Sequence, residues 1–275
     1  MTDSTPKLPY AEVIGDPIAH SKSPLIHNFW LEKLGIEAEY RKTHVLSGDL
    51  ARYFLSRRAD PDWLGCNVTI PHKIAVMDYV DDPGGVETSI GAMNTIACET
   101  GGPLIGTNTD AGGFLAPLRE EGWRGGHAVV IGSGGAARAI VYALAQTEVP
   151  VTIMARNTAE AQALLARTGA HGDVIGMDAP LPPASLLVNA SPLGMTGKPP
   201  LTIDLAPLPD SAFVYDIVYA PLETPLLAQA KARGLHVIDG LAMLIGQAAL
   251  AFDIFFDALP PREHDAELRA RLLAG

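Results

Sequence analysis

The run "HAVVIGSGGAARAIVYALAQ", His127 to Gln146, constrains the fold more than any other stretch of the chain. Four apolar residues, Ala128 to Ile131, lead into Gly132, Gly134 and Ala137 at the spacing G-x-G-x-x-A, and a helix-like apolar segment follows. A strand that feeds a helix through such a loop opens a βαβ unit. The glycines permit a tight turn and close backbone approach. The helix start then offers free N–H groups and a positive dipole end, which suit a pyrophosphate. Gly132, Ser133, Gly134, Gly135 and Ala136 are therefore candidate contacts to a dinucleotide.

The next strand reads "VTIMARNT". An NAD-binding unit carries an acid near this point to hold the ribose 2′-OH. None is present, and Arg156 stands about where it would be. A guanidinium bonds two phosphate oxygens at once, so Arg156 with Asn157 points to the 2′-phosphate of NADP. A solvated loop charge is the other reading of Arg156.

Around this unit the chain alternates strand-like and helix-like segments, which argues for parallel sheets joined by right-handed crossovers. The expectation is an α/β protein of two α/β domains meeting at a cleft, the second a Rossmann-type dinucleotide-binding domain. Length and composition allow this: there are 275 residues, 48% of them hydrophobic. No apolar run is long enough to cross a bilayer, and the start "MTDSTPKLPY" is too polar for a secretory leader. A formal net charge of −11 disfavours nucleic acid and anionic membrane as partners. Cys66 and Cys98 have no metal-type spacing, so a reduced, cytoplasmic protein without a metal is expected.

Polar side chains gather where strands of the first block end. They are Ser21 and Ser23 in "GDPIAHSKSPLIHN", Asn67, Thr69 and Lys73 in "NVTIPHK", Asn94 in "GAMNT" and Asp110 in "GTNTD". Asn, Ser and Thr in such places suit hydroxyl recognition, or ordinary turns and caps. Pro71 predicts a helix over "PHKIAVMDYV", which sets Lys73 in its first turn. A cation there opposes the helix dipole, an arrangement suited to a proton-transfer residue. Asp110 is either a partner in that chemistry or a cap. Gln247, a polar residue inside the apolar run "GLAMLIGQAALAF", needs a hydrogen-bond partner.

Together, and in this order, "GDPIAHSKSPLIHN", "NVTIPHK", "GAMNT", "GTNTD", "GSGGAARA", "NASPLGM", "YDIVYAP" and "GLAMLIGQA" resemble the shikimate dehydrogenase family over nearly the whole chain. The resemblance implies reversible NADPH-dependent reduction of 3-dehydroshikimate to shikimate, a step towards aromatic amino acids. It implies that Ser21 and Ser23 hold the substrate carboxylate, and that Asn67, Thr69, Asn94 and Gln247 hold ring hydroxyls. By the same resemblance Tyr219 matches a tyrosine near the substrate, and His20 is expected to shape the loop. Lys73 and Asp110 match the catalytic pair. Asn189 and Ser191 match a loop beside the cofactor. The resemblance also implies that the last helix returns to the first domain, giving a substrate domain of 1–109 plus 241–275 and a cofactor domain of 110–240. A small-molecule substrate and a monomer or homodimer complete the expectation.

One departure stands out. Glu160 occupies a position where the family commonly has a second Arg. Lying four residues beyond Arg156, it is expected to pair with that Arg and soften the preference for NADP. The alternatives are an NAD-using quinate/shikimate dehydrogenase and a non-enzymatic binding protein on the same scaffold.

Overall fold

The structure is a computed structural model that describes residues 7–98 and 102–274. Most of the polar start that argued against a leader, residues 1–6, lies outside them. The chain divides into two compact units, one made of Met1–Glu87, Ala92–Thr109 and Ala248–Gly275, the other of Thr88–Gly91 and Asp110–Gln247.

The first unit contains β1 (Tyr10–Gly15), α1 (Ser23–Leu34), β2 (Glu39–His44), α2 (Leu50–Arg58) and β3 (Trp63–Val68). After a single helical turn, α3 (Val86–Ser89), come β4 (Thr95–Cys98) and β5 (Leu104–Thr107). The sheet order is β2-β1-β3-β4-β5. The expectation of a wholly parallel sheet fails here: β1 pairs parallel with β2 and β3, while β4 is antiparallel to both β3 and β5. Only five residues separate β4 from β5, too few for a crossover. Glu12 of β1 is fully buried. Arg57 Nε donates to it at 2.6 Å and the Tyr53 hydroxyl at 2.7 Å, and Thr43 also bonds it. Two groups from α2 thus pin that helix to the sheet.

The second unit contains α4 (Asp110–Glu120), β6 (Ala128–Ile131), α5 (Gly135–Ala145), β7 (Val151–Ala155), α6 (Thr158–Thr168) and β8 (Gly172–Gly176). It continues with β9 (Leu186–Asn189), β10 (Phe213–Asp216), α7 (Pro225–Ala232), β11 (His236–Ile238) and the first half of α8 (Gly240–Phe256). The sheet is parallel throughout, in the order β11-β10-β9-β6-β7-β8. This is the doubly wound order of a Rossmann-type unit. Strand β6 shows why its sequence is uniformly apolar. Ala128 and Val130 enter one core cluster with Ala137, Ile140 and Leu164, while Val129 and Ile131 enter the opposite one with Leu205 and Leu226. Each fully buried Val or Ile contributes about 1.5–3 kcal/mol.

The division between units falls inside α8. Ala251 and Phe255 belong to the first unit's core with Ala11, Val13 and Tyr40. The last helix, α9 (Asp265–Ala274), also belongs to the first unit.

The expected helix over "PHKIAVMDYV" is not an α-helix. Residues 71–74 form turns, and a short 3-10 helix covers Ala75–Tyr79. The Lys73 carbonyl accepts from Met93 N–H at 2.7 Å, and Met77 N–H turns to the Ile74 carbonyl at 3.2 Å. A distant residue has captured the acceptor that the first α-helical turn requires. No α-helix dipole stands at Lys73.

Candidate active site

In the first unit the candidate side chains sit where β1 and β3 end and where β4 begins. Beyond Gly15 the chain makes a loop and enters α1 at Ser23. The Ser21 hydroxyl accepts from Ser23 N–H at 3.3 Å. The side chains of both serines lie at the start of a 12-residue helix, where main-chain N–H groups and the dipole favour a carboxylate. The cations beside them are turned elsewhere: Lys22 Nζ donates to the Leu272 carbonyl and Lys42 Nζ to the Ala19 carbonyl, each at 2.7 Å.

Thr69 and Lys73 follow β3. A Cβ on Gly15 would lie 2.6 Å from Thr69 Cγ2 and 3.0 Å from the Ile70 carbonyl oxygen, so only a glycine lets the two strand ends meet this closely. Thr69 N–H donates to the Ile14 carbonyl at 3.0 Å. Lys73 is half-buried, and its neighbour His72 is fully buried. His72 Nε2–H donates to the Val45 carbonyl at 2.6 Å. That bond and the Met93 bond fix the turn carrying Lys73 from two sides. Asn67 and Asn94 are both buried. Asn94 Oδ1 accepts from Thr109 N–H at 2.7 Å, and its Nδ2 donates to the Thr109 hydroxyl at 2.9 Å. The structure therefore gathers Ser21, Ser23, Asn67, Thr69, Lys73 and Asn94 at one set of strand ends.

The other three candidates belong to the second unit. Asp110 is buried and is the first residue of α4 rather than its cap. Negative charge is favoured there by the helix dipole. Tyr219 follows β10 and is half-buried, and burial pushes its phenol above the usual range. Gln247 is buried, and its Nε2 donates to the Leu244 carbonyl at 2.9 Å.

The glycine-rich loop lies between β6 and α5, and β6 neighbours β9, where the strand order reverses. Ligands of doubly wound sheets bind at this switch point. Gly132 has φ +115°, and a Cβ there would stand 3.0 Å from the Ala190 carbonyl oxygen. Gly134, by contrast, has nothing within 4 Å of a Cβ position. Ser133, Gly135 and Ala136 are half-buried, so this loop leaves its outer side open at the start of an 11-residue helix. These residues fit a dinucleotide pyrophosphate.

Two expectations around the cofactor need correction. Glu160 does not pair with Arg156. Its carboxylate lies 3.6 Å from the Arg138 guanidinium of α5. Helical i,i+4 pairing requires both residues on the helix, and Arg156 precedes the N-cap, Asn157, whose Oδ1 accepts from Glu160 N–H at 3.2 Å. Arg156 is exposed and forms no ion pair among the described residues. Arg138 was missed by sequence reasoning, although a charged residue within the apolar "GGAARAIVYALA" was a signal.

Asn189 is the second. It is fully buried, and its side chain is occupied within the unit. Its Nδ2 donates to the Leu193 carbonyl and to Asp216, both at 2.9 Å, and its Oδ1 accepts from the Ser191 N–H and hydroxyl at 3.1 and 2.7 Å. It shapes the loop instead of offering a donor to a ligand. Asp216 completes the knot by accepting from the Thr224 hydroxyl at 2.6 Å, and burial raises its carboxyl above the usual range. Ser191 stays half-buried at the loop surface.

Residues 13–96 match the model of the shikimate dehydrogenase substrate-binding domain. The chain is 61% identical over 267 residues to a shikimate dehydrogenase (NADP(+)) of Sphingopyxis alaskensis, covering 97% of each. The chain belongs to the shikimate dehydrogenase family. Solved members of the family share the fold. A shikimate dehydrogenase in complex with NADP+ has 33% identity and a TM-score of 0.87, with 97% of this chain and 96% of that one covered. One from Thermus thermophilus, in complex with NADP(H) and shikimate, has 36% identity and a TM-score of 0.83, covering 95% and 98%.

Proposed function

We propose that this chain catalyses the reversible NADPH-dependent reduction of 3-dehydroshikimate to shikimate, a cytoplasmic step of aromatic amino-acid biosynthesis. The observation that carries the reading is the cluster of Ser21, Ser23, Asn67, Thr69, Lys73 and Asn94 at one set of strand ends, in a chain 61% identical to a relative of that name. The unit holding the cluster is the substrate domain, and the doubly wound unit is the cofactor domain. No described helix is long and apolar enough to cross a membrane.

Ser21 and Ser23 hold the substrate carboxylate with hydroxyl donors at the α1 start. Asn67, Thr69, Asn94 and Gln247 hold ring hydroxyls, with Tyr219 beside the ring. When bound, the dinucleotide supplies the hydride. Lys73 gives a proton to the carbonyl oxygen being reduced and takes it back in the oxidative direction. Asp110 is its carboxylate partner in that transfer. Proton transfer of this kind accounts for about 10²–10⁴-fold in rate, and fixed positioning of the bound reactants supplies more. Gly132 to Ala136 cradle the pyrophosphate, Arg156 takes the 2′-phosphate, and Ser191 and the Asn157 segment line the ribose side.

The test is kcat/KM of the purified protein for shikimate and quinate, each with NADP+ and NAD+. The highest value is expected for shikimate with NADP+. A preference for quinate with NAD+ would overturn this reading in favour of a quinate/shikimate dehydrogenase.

A further inference from the structure

The opening motif "GDPIAHSKSPLIHN" ends in two residues that touch no proposed ligand, His27 and Asn28. Both act on Tyr40 of β2. Asn28 clamps its main chain: Nδ2 donates to the Tyr40 carbonyl and Oδ1 accepts from Tyr40 N–H, both at 2.8 Å. The His27 imidazole stacks on the Tyr40 ring, with centroids 3.9 Å apart and planes 5° from parallel. Held in this way, the buried Tyr40 hydroxyl donates to Asn67 Oδ1 at 2.6 Å. The Asn67 amide is engaged on its other side as well, because Nδ2 donates to the Asn94 carbonyl at 3.2 Å and to the Thr95 hydroxyl at 2.9 Å.

We propose that Tyr40 is a positioning residue for substrate recognition, fixing the Asn67 carboxamide so that it presents the substrate only an acceptor. The inference rests on the assignment of Asn67 to a ring hydroxyl. An amide has two donor hydrogens and two acceptor lone pairs. Both hydrogens and one lone pair of Asn67 are taken within the protein, which leaves one lone pair on Oδ1. A flipped amide would set Oδ1 against the Asn94 carbonyl, so the network admits one orientation. Tyr40 keeps its proton, since burial raises its phenol well above the usual range. The group facing Asn67 must therefore carry a hydrogen. A hydroxyl meets this requirement, and an oxo group at the same ring position leaves two acceptors face to face.

Tyr40→Phe tests the proposal, because it keeps the ring and its stack on His27. The KM for shikimate should rise about threefold to tenfold, the usual effect of one neutral hydrogen bond, with kcat and the KM for NADP+ within about twofold. Thr95→Val, which loosens the amide from its other side, should give the same pattern. The decisive arm is the Asn67→Ala background. There Tyr40→Phe should change the shikimate KM by no more than about 1.5-fold, since the group it positions is gone. If Tyr40→Phe leaves KM unchanged while Asn67→Ala raises it, or if the two effects multiply in the double variant, Tyr40 is not acting through Asn67. If Asn67→Ala itself leaves the shikimate KM unchanged, the assignment of Asn67 fails, and this proposal fails with it.

Discussion

Glu160 of α6 pairs with Arg138 of α5 at 3.6 Å and leaves Arg156, at the end of β7, exposed. This arrangement removes the expected competition of Glu160 for Arg156, and leaves the missing second Arg as the ground for a softened preference for NADP. The 2′-phosphate can engage Arg156 without displacing a carboxylate.

Arg156→Ala should therefore lower the NADP+/NAD+ ratio of kcat/KM by about tenfold or more, because hydrogen bonds to charged groups are worth about 1.5–3 kcal/mol. Glu160→Gln should leave that ratio within about twofold. A rise of several fold in that ratio in Glu160→Gln would place Glu160 at the phosphate after all.

The serines should act on substrate affinity. Ser21→Ala and Ser23→Ala each remove a donor to a carboxylate, so the shikimate KM should rise about tenfold on the same per-bond estimate. The KM for NADP+ should not move. A change confined to the dinucleotide would show that the α1 start serves a different ligand.

Acid should destabilise the first unit through His27. Burial without a partner lowers its imidazole to about 3, and both ring nitrogens lack hydrogen bonds. The unfolded chain takes up a proton near pH 6.5 and the folded chain does not, so stability is lost as pH falls below about 6.5. The slope approaches about 1.4 kcal/mol per pH unit. His27→Phe keeps a flat ring against Tyr40 and removes this dependence. Between pH 7 and pH 5 the difference in unfolding free energy between variant and wild type should shift by about 2 kcal/mol in favour of the variant. Urea unfolding at the two pH values measures it, and a constant difference would contradict the assignment.

Much of this molecule was legible in its sequence where the signals are local. Strand β6 is apolar because both its faces are buried, and the glycine spacing reports a backbone that Gly132 confirms at φ +115°. Edge strand β8, "GDVIG", was missed because two glycines and an exposed Asp173 leave almost no apolar pattern. Helix α7 was passed over despite a readable start: Thr224 caps it by accepting from Leu227 N–H, and Pro225 opens it. The turn at Lys73 was misread for a different reason. Met93, twenty residues on in sequence, takes the carbonyl that would have begun a helix, and no local pattern announces such a bond. Asn189 likewise looked available to a ligand until Asp216, on a neighbouring strand, claimed its amide.

The role of Lys73 is tested most directly by Lys73→Ala, with turnover of shikimate and NADP+ measured beside calorimetric binding of shikimate. The account predicts a fall in kcat of about 10²-fold or more, the effect of losing the general base of the oxidative direction, with the dissociation constant for shikimate within a few fold of wild type. A variant that keeps more than about a tenth of the wild-type kcat would contradict it.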